Sequence, residues 1–239
     1  MNVNDHMEEQ NESESRKNVQ RRAIQIVINF IVLILMLFIS AGKLAWVWAW
    51  IYIGINLLIL VVNSFLIPKD VVVERGKKKT NAKKWDKIIT ALLVGPSIGG
   101  IMVVSGLDFR FSWSQGLSLI IHIAGILLMI FGNALISWSM IPNKYFSTLV
   151  RIQIERNHTV STGGPYSFVR HPGYVGFIII YSFATPLILG SLWALIAGGC
   201  VLILLVIRTA FEDCTLKREL DGYKEYAERV KYRLVPGIW

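Results

Sequence analysis

Between Tyr174 and Ile207 the chain runs for 34 residues without a charge. That is too long for one ordinary crossing of a bilayer, whose hydrocarbon core of about 30 Å takes roughly 20 helical residues, and barely enough for two crossings of about 17. Pro186 and the Gly190-Ser191 pair lie near its middle. The pattern predicts a tight helical hairpin, Gly173 to Leu189 and Ser191 to Ile207; the alternative is a single kinked and tilted helix.

Four more uncharged runs precede it. Ala23 to Ala41 is the first, Leu44 to Ile67 contains the second, Ile88 to Leu107 is the third, and the fourth lies within Phe111 to Ile141, centred on Leu117 to Ser139. Gly95, Pro96, Gly99 and Gly100 do not disqualify the third, because neighbouring helices re-satisfy the freed backbone groups of a membrane helix. The expected fold class is all-α, an integral membrane helical bundle of about six transmembrane helices ending in a helical hairpin. Composition agrees: 54% of residues are hydrophobic, the mean hydropathy is +0.51 and only 17% are charged, against about a quarter in a soluble globule.

A net charge of +9 raises the question of nucleic acid, and the positions of the charges answer it. With six spans and both termini on one side, that side holds 23 of the 25 lysines and arginines and leaves only Lys43 and Arg110 opposite. Cytoplasmic loops collect Lys and Arg in this way. The bias therefore places both termini in the cytoplasm and favours the hairpin, since a single span after Tyr174 would move Arg208 and everything beyond it across the membrane. The run Lys77, Lys78, Lys79, Lys83, Lys84, Lys87 reads as a topology signal that also attracts anionic membrane lipid, and no nucleic-acid partner is expected.

The first 22 residues are polar and acidic-rich and the first apolar run lacks a small-residue cleavage pattern, so no cleavable signal peptide is expected. Residues 1–22 read as a disordered cytoplasmic tail, 23–141 as a four-helix transmembrane region and 142–239 as the unit carrying the chemistry. The first 15 residues, with Asp5, Glu8, Glu9, Glu12 and Glu14, carry the disorder signal. Cys200 falls inside a span and Cys214 at the cytoplasmic end, which argues against a structural disulfide. His122 reads as a packed helix–helix contact, with no Cys, Asp or Glu spaced for a metal, and Trp46, Trp48 and Trp50 as an interfacial aromatic belt.

Polar residues concentrate in two stretches flanking the hairpin, 142–174 and 208–239, which a tight hairpin brings together. In the first, Arg170 and His171 precede a helix start, where free N–H groups favour an anion; Pro172 suits a first-turn position, and Gly163-Gly164 allows close backbone approach. A ligand loop and a merely structural re-entry turn both fit. In the second, Arg208 and Glu212 share one helical face, as a site or as an interfacial ion pair. Residues 216–230 repeat apolar side chains at helical spacing and predict an amphipathic helix at the membrane surface or lying against the loop.

The run from Gly164 to Gly176, GPYSFVRHPGYVG, resembles the signature of the isoprenylcysteine carboxyl methyltransferases and the related membrane phospholipid methyltransferases. The ending, with Leu220-Asp221-Gly222-Tyr223, Tyr226, Arg229-Val230, Arg233-Leu234 and Pro236-Gly237-Ile238-Trp239, is similar to that of bacterial members, so the resemblance covers residues 143–239. It implies an S-adenosylmethionine-dependent methyl transfer, with the cofactor in a cytoplasmic pocket. His158, Thr159, Val160, Ser161, Tyr166, His171, Pro172, Gly173, Tyr174 and Glu212 match the family's cofactor contacts, and Gln153 does so if a gap is allowed. Arg208 and Glu212 match its catalytic pair, Arg208 being the arginine at the substrate carboxylate; no metal is implied. The loop reads His-Thr-Val-Ser where the family often has His-Thr-Leu-Val, which favours backbone contacts at Val160 and Ser161, and Asp213 stands where a second glutamate is common.

The expected acceptor is the carboxylate of a prenylcysteine or another lipophilic small molecule entering from the bilayer. The alternatives are phospholipid N-methylation, for which Arg208 is a poor neighbour of a cationic amine, a membrane NADPH-dependent reductase, and a membrane protein without catalysis.

Overall fold

The computed structural model describes residues 3–78, 81–114 and 116–239. Six helices are long and apolar enough to cross a membrane among these residues, and no strand occurs among them. In chain order the helices are α1 (Val3–Ala41), α2 (Val47–Leu66), the short α3 (Lys69–Gly76), α4 (Lys84–Phe111), α5 (Leu119–Met140), α6 (Pro172–Leu189), α7 (Ala194–Glu219) and the short α8 (Tyr223–Arg229). Their outer faces carry large apolar side chains, with Phe65 84% and Ile120 76% exposed. Such a surface is unfavourable in water and suits hydrocarbon.

The hairpin forms where the sequence predicts it. Gly190 adopts φ +74°, a left-handed conformation that costs glycine little, and the Ser191 amide donates to the Pro186 carbonyl at 2.9 Å. α6 then packs along α5, and Gly176 and Gly132 make this possible: a Cβ on Gly176 would lie 2.5 Å from the Gly132 carbonyl oxygen. Small residues at such a contact let two membrane helices approach closely. α4 and α6 each contain a π-helical segment, Gly95–Gly100 and Ile179–Ala184, and α7 crosses both. Pro96 and Pro186 cannot donate to the helical ladder, and the wider turns beside them accommodate that loss.

Three sequence expectations change. The tail expected to be disordered is helical from Val3 and continuous with the first span. Its Glu, Gln, Lys and Arg residues are good helix formers, and buried Asn18 seats against Gly76 of α3, where Arg21 Nη1 donates to the Gly76 carbonyl at 3.2 Å. The amphipathic helix expected over 216–230 is broken: α7 runs through Glu219, Gly222 takes φ +77°, and α8 begins at Tyr223. Of the three tryptophans only Trp50 is exposed; Trp46 stacks on Phe109, and Trp48 on His122 at 3.8 Å. His122 Nδ1 also contacts the Ile188 carbonyl at 2.9 Å, so it is a packed contact holding the hairpin tip.

The side bearing both ends of the chain carries the loop 142–171, α3 and α8: Arg21–Gly76 ties α1 to α3, Arg151–Glu74 ties the loop to α3, Tyr226–Tyr166 ties α8 to the loop, and Lys83–Glu219 joins the start of α4 to the end of α7. Lys79 of the lysine run lies outside the described residues. The Lys83–Glu219 pair is partly exposed and contributes little, ~0–1 kcal/mol. Gly176→Ala should push α6 off α5 and destabilise the protein by ~1–3 kcal/mol, read as a lower melting temperature in detergent. Gly54→Ala, where an added Cβ meets nothing within 4 Å, should leave that temperature unchanged.

Candidate functional site

Two buried acids in the α3–α4 region hold the loop that forms one wall of the site. Glu74 of α3 is 1% exposed and receives Arg151 Nη2 on both carboxylate oxygens at 3.0 Å. Asp86 of α4 is fully buried and accepts the Val150 amide at 2.6 Å. Within the loop, Tyr145 donates to the Asn157 carbonyl at 2.7 Å and its ring packs on His158 at 4.2 Å. The 158–161 strip is thereby held over the mouth of the hairpin.

The other wall is assembled around Asp213 of α7, 1% exposed. Arg170 Nε donates to it at 2.7 Å, Arg233 Nε at 3.0 Å and the Tyr223 hydroxyl at 3.0 Å, while Lys217 Nζ lies 3.3 Å away. Arg170 Nη1 reaches on to the Val230 and Lys231 carbonyls at 2.7 and 2.8 Å. The Arg170 and His171 amides bond the Tyr232 and Arg233 carbonyls, so the C-terminal segment lies against the hairpin entrance. Arg170 lines the cleft between the two walls, but its guanidinium is engaged by the Asp213 carboxylate and the backbone, the structural alternative that the sequence left open beside a ligand loop. His171, buried beside the same carboxylate, has its ring near the Tyr223 hydroxyl at 3.3 Å.

Between these walls lies a cleft that is open to solvent on one side. His158, Thr159, Val160, Ser161, Tyr166, His171, Gly173, Tyr174, Arg208 and Glu212 all line it. Two expected residues do not. Pro172 opens α6 at its first position, and Gln153 is fully buried beneath the loop, donating from Nε2 to the Tyr145 carbonyl at 2.7 Å and accepting from Arg156 Nη1 at 2.9 Å. Its amide is consumed in holding the loop.

The polar groups facing the cleft are few. Glu212 accepts a short hydrogen bond from the Tyr174 hydroxyl. The Tyr166 phenol accepts from Asn143 Nδ2 at 2.8 Å, which leaves its own proton available to the cleft, and burial pushes its pKa up so that it stays neutral. His158 Nδ1 faces the Gln153 amide at 3.3 Å. Burial, with Arg151 and Arg156 nearby, lowers the His158 pKa to about 4, so the imidazole is neutral at physiological pH. Arg208 is not the open clamp the sequence suggests: its Nε and Nη2 are paired with Asp86 at 2.7 and 3.2 Å, and its guanidinium sits 5.1 Å from the Tyr174 ring centroid. Asp86 and Glu74 are the functional neighbours that sequence reasoning missed. Their only signal is that they stand, with Asp70, as acids inside an otherwise lysine-rich connection.

The fold and site define a polytopic membrane protein whose hairpin mouth, re-entry loop and final helices line an open polar cleft. Residues 120–221 match the model of the family described as phospholipid methyltransferase. Over 109 residues the chain is 33% identical to protein-S-isoprenylcysteine O-methyltransferase B of Arabidopsis thaliana, covering 44% of this chain and 55% of the relative. It is 29% identical over 109 residues to a probable protein-S-isoprenylcysteine O-methyltransferase of Oryza sativa subsp. indica, covering 44% and 56%. The chain thus spans about half the length of the curated relatives it matches. The resemblance read from the motifs holds over this segment. It takes in α5, which the motifs did not mark, and ends at residue 221, before the Arg229 to Trp239 pattern.

Two outcomes follow from this geometry. Asp213→Asn should destabilise the protein by ~3–5 kcal/mol, the size expected when a buried ion-pair partner is removed, with the loss visible as protease sensitivity of the C-terminal segment. The unfolded chain binds a proton on His158 near pH 6.5 and the fold does not until about pH 4, so stability is lost as pH falls through that window. A melting series from pH 7 to pH 4 should show this fall, and His158→Gln should reduce it.

Proposed function

We propose that the chain is an S-adenosylmethionine-dependent membrane methyltransferase acting on the carboxylate of a prenylcysteine or a similar lipophilic acceptor. The observation carrying this reading is the convergence on one cleft of Glu212, Tyr166, His171 and the 158–161 strip, which are the positions where the resembling families hold their cofactor. The names of the plant relatives support the prenylcysteine acceptor.

The residues suit such a cofactor on chemical grounds. S-adenosylmethionine, when bound, supplies an electrophilic methyl group carried on a positively charged sulfur. Glu212 contributes an anionic acceptor for the cofactor's cationic or hydroxyl groups, and its bond from Tyr174 fixes the carboxylate in place. The neutral His158 adds no competing positive charge. Aromatic rings of Tyr145, Tyr166 and Tyr226 offer surface for a heterocycle. An already ionised acceptor carboxylate needs little acid or base assistance, so positioning supplies most of the catalysis. Arg208 orients the acceptor, and the apolar side chains of Phe146, Leu149, Leu216 and Leu220 lower the polarity of the cleft, which favours a reaction in which opposite charges cancel. The lysine and arginine bias supports a cytoplasmic position for this cleft.

A second reading, amine methylation of a phospholipid, is favoured by the description of the matching family. Titration of the purified protein in detergent should show binding of S-adenosylhomocysteine and none of NADPH. Glu212→Ala should weaken that binding roughly 10- to 100-fold, the ~1.5–3 kcal/mol of a hydrogen bond to a charged group. Tritiated methyl transfer should give a base-labile ester with a prenylcysteine analogue and no stable product with phosphatidylethanolamine. Absence of S-adenosylhomocysteine binding by the wild type would overturn the methyltransferase reading; a base-stable product would select the amine.

A further inference from the structure

Asp86 lies on α4, before the segment that resembles methyltransferases begins at residue 120. Its carboxylate is fully buried and both oxygens are engaged. Oδ1 accepts from Arg208 Nε at 2.7 Å, and Oδ2 accepts from Arg208 Nη2 at 3.2 Å and from the Val150 amide at 2.6 Å. Arg208 Nη2 also donates to the Thr148 carbonyl at 3.1 Å. Nη1 is then the guanidinium nitrogen with no hydrogen-bond partner among the described residues, on a side chain that lines the cleft.

The physical consequences are two. A planar fork gripped by a carboxylate along one edge loses its rotamer freedom before any ligand arrives, so less is lost when the remaining nitrogen binds. The carboxylate also compensates the arginine's charge, which lets a guanidinium on a residue only 8% exposed keep Nη1 without an acceptor among the described residues. We propose that Asp86 is a positioning residue for the methyl acceptor: it holds Arg208 so that Nη1 alone is offered to the acceptor carboxylate, and it thereby makes α4 part of the acceptor site. The inference rests on the methyltransferase reading above. An acceptor carboxylate receives a single-nitrogen contact from Arg208 and not a two-pronged clamp, so geometry at this position discriminates by direction of approach more than by depth of charge.

The test uses the full chain in detergent, saturated with S-adenosylhomocysteine, and measures the equilibrium affinity of a prenylcysteine analogue, which requires no turnover. Asp86→Asn keeps an acceptor for the Val150 amide, and retained S-adenosylhomocysteine affinity reports that the variant is folded. The expected result is a loss of acceptor affinity of roughly tenfold in Asp86→Asn and in Arg208→Ala, the size of one charge-assisted hydrogen bond. The double variant should be no weaker than Arg208→Ala alone, and Asp86→Glu should recover part of the loss. A double variant weaker than Arg208→Ala by the full Asp86 factor would overturn the proposal, because Asp86 would then act without Arg208. So would equal losses of acceptor and S-adenosylhomocysteine affinity in Asp86→Asn, or unchanged acceptor affinity. Failure of the wild type to bind S-adenosylhomocysteine overturns the methyltransferase reading and this proposal with it, whereas the other outcomes remove this proposal alone.

Discussion

The carboxylate of Asp213 is the point on which the cleft depends. It draws Arg170 from the hairpin entrance, Tyr223 from α8 and Arg233 from the C-terminal segment onto one buried group of α7. Three separate pieces of chain are fixed relative to a transmembrane helix by one side chain. Bringing a carboxylate out of water is costly unless the partners come with good geometry, and here the partners supply donors on both oxygens. The backbone pairing of Arg170 and His171 with Tyr232 and Arg233 then follows, because the guanidinium has already brought the segments together.

The opposite wall repeats the device. Glu74 and Asp86 lie in and beside the basic connection between α2 and α4, and each is buried against an arginine from a distant stretch, Arg151 and Arg208. A segment rich in lysines thus also anchors the site through its acids. Lys78, Lys84 and Lys87 are exposed while the two carboxylates are buried.

Much of the architecture is legible because crossing a bilayer is a one-dimensional constraint: run lengths between charges mark the spans, and Gly190 marks the turn. The pairings at the site are not, because a carboxylate such as Asp86 and its arginine are separated by 122 positions and nothing local distinguishes a paired acid from a solvated one. Arg208 and Glu212 stand out by their shared helical face, yet the edge of Arg208 taken by Asp86 is invisible in that spacing. Gln153 illustrates the reverse case, a polar residue in the right stretch whose amide is used up by the loop itself. The break at Gly222 had a local signal, since Asp-Gly favours a turn, but the apolar spacing across 216–230 masked it. The seating of Asn18 of α1 against Gly76 of α3 is again a contact across distant sequence.

α7 is continuous over 26 residues, about 39 Å at 1.5 Å per residue, against a hydrocarbon layer of about 30 Å. Arg208, Glu212 and Asp213 lie along its last dozen residues, where the helix passes from the apolar layer to the basic face. A rigid rod spanning the bilayer acts as a depth gauge. Its far end is set by the hairpin tip at Gly190, so the height at which these three side chains sit relative to the lipid surface is fixed by helix length and not by the loops. An amphiphile whose polar end reaches that height can keep its apolar tail in the bilayer throughout.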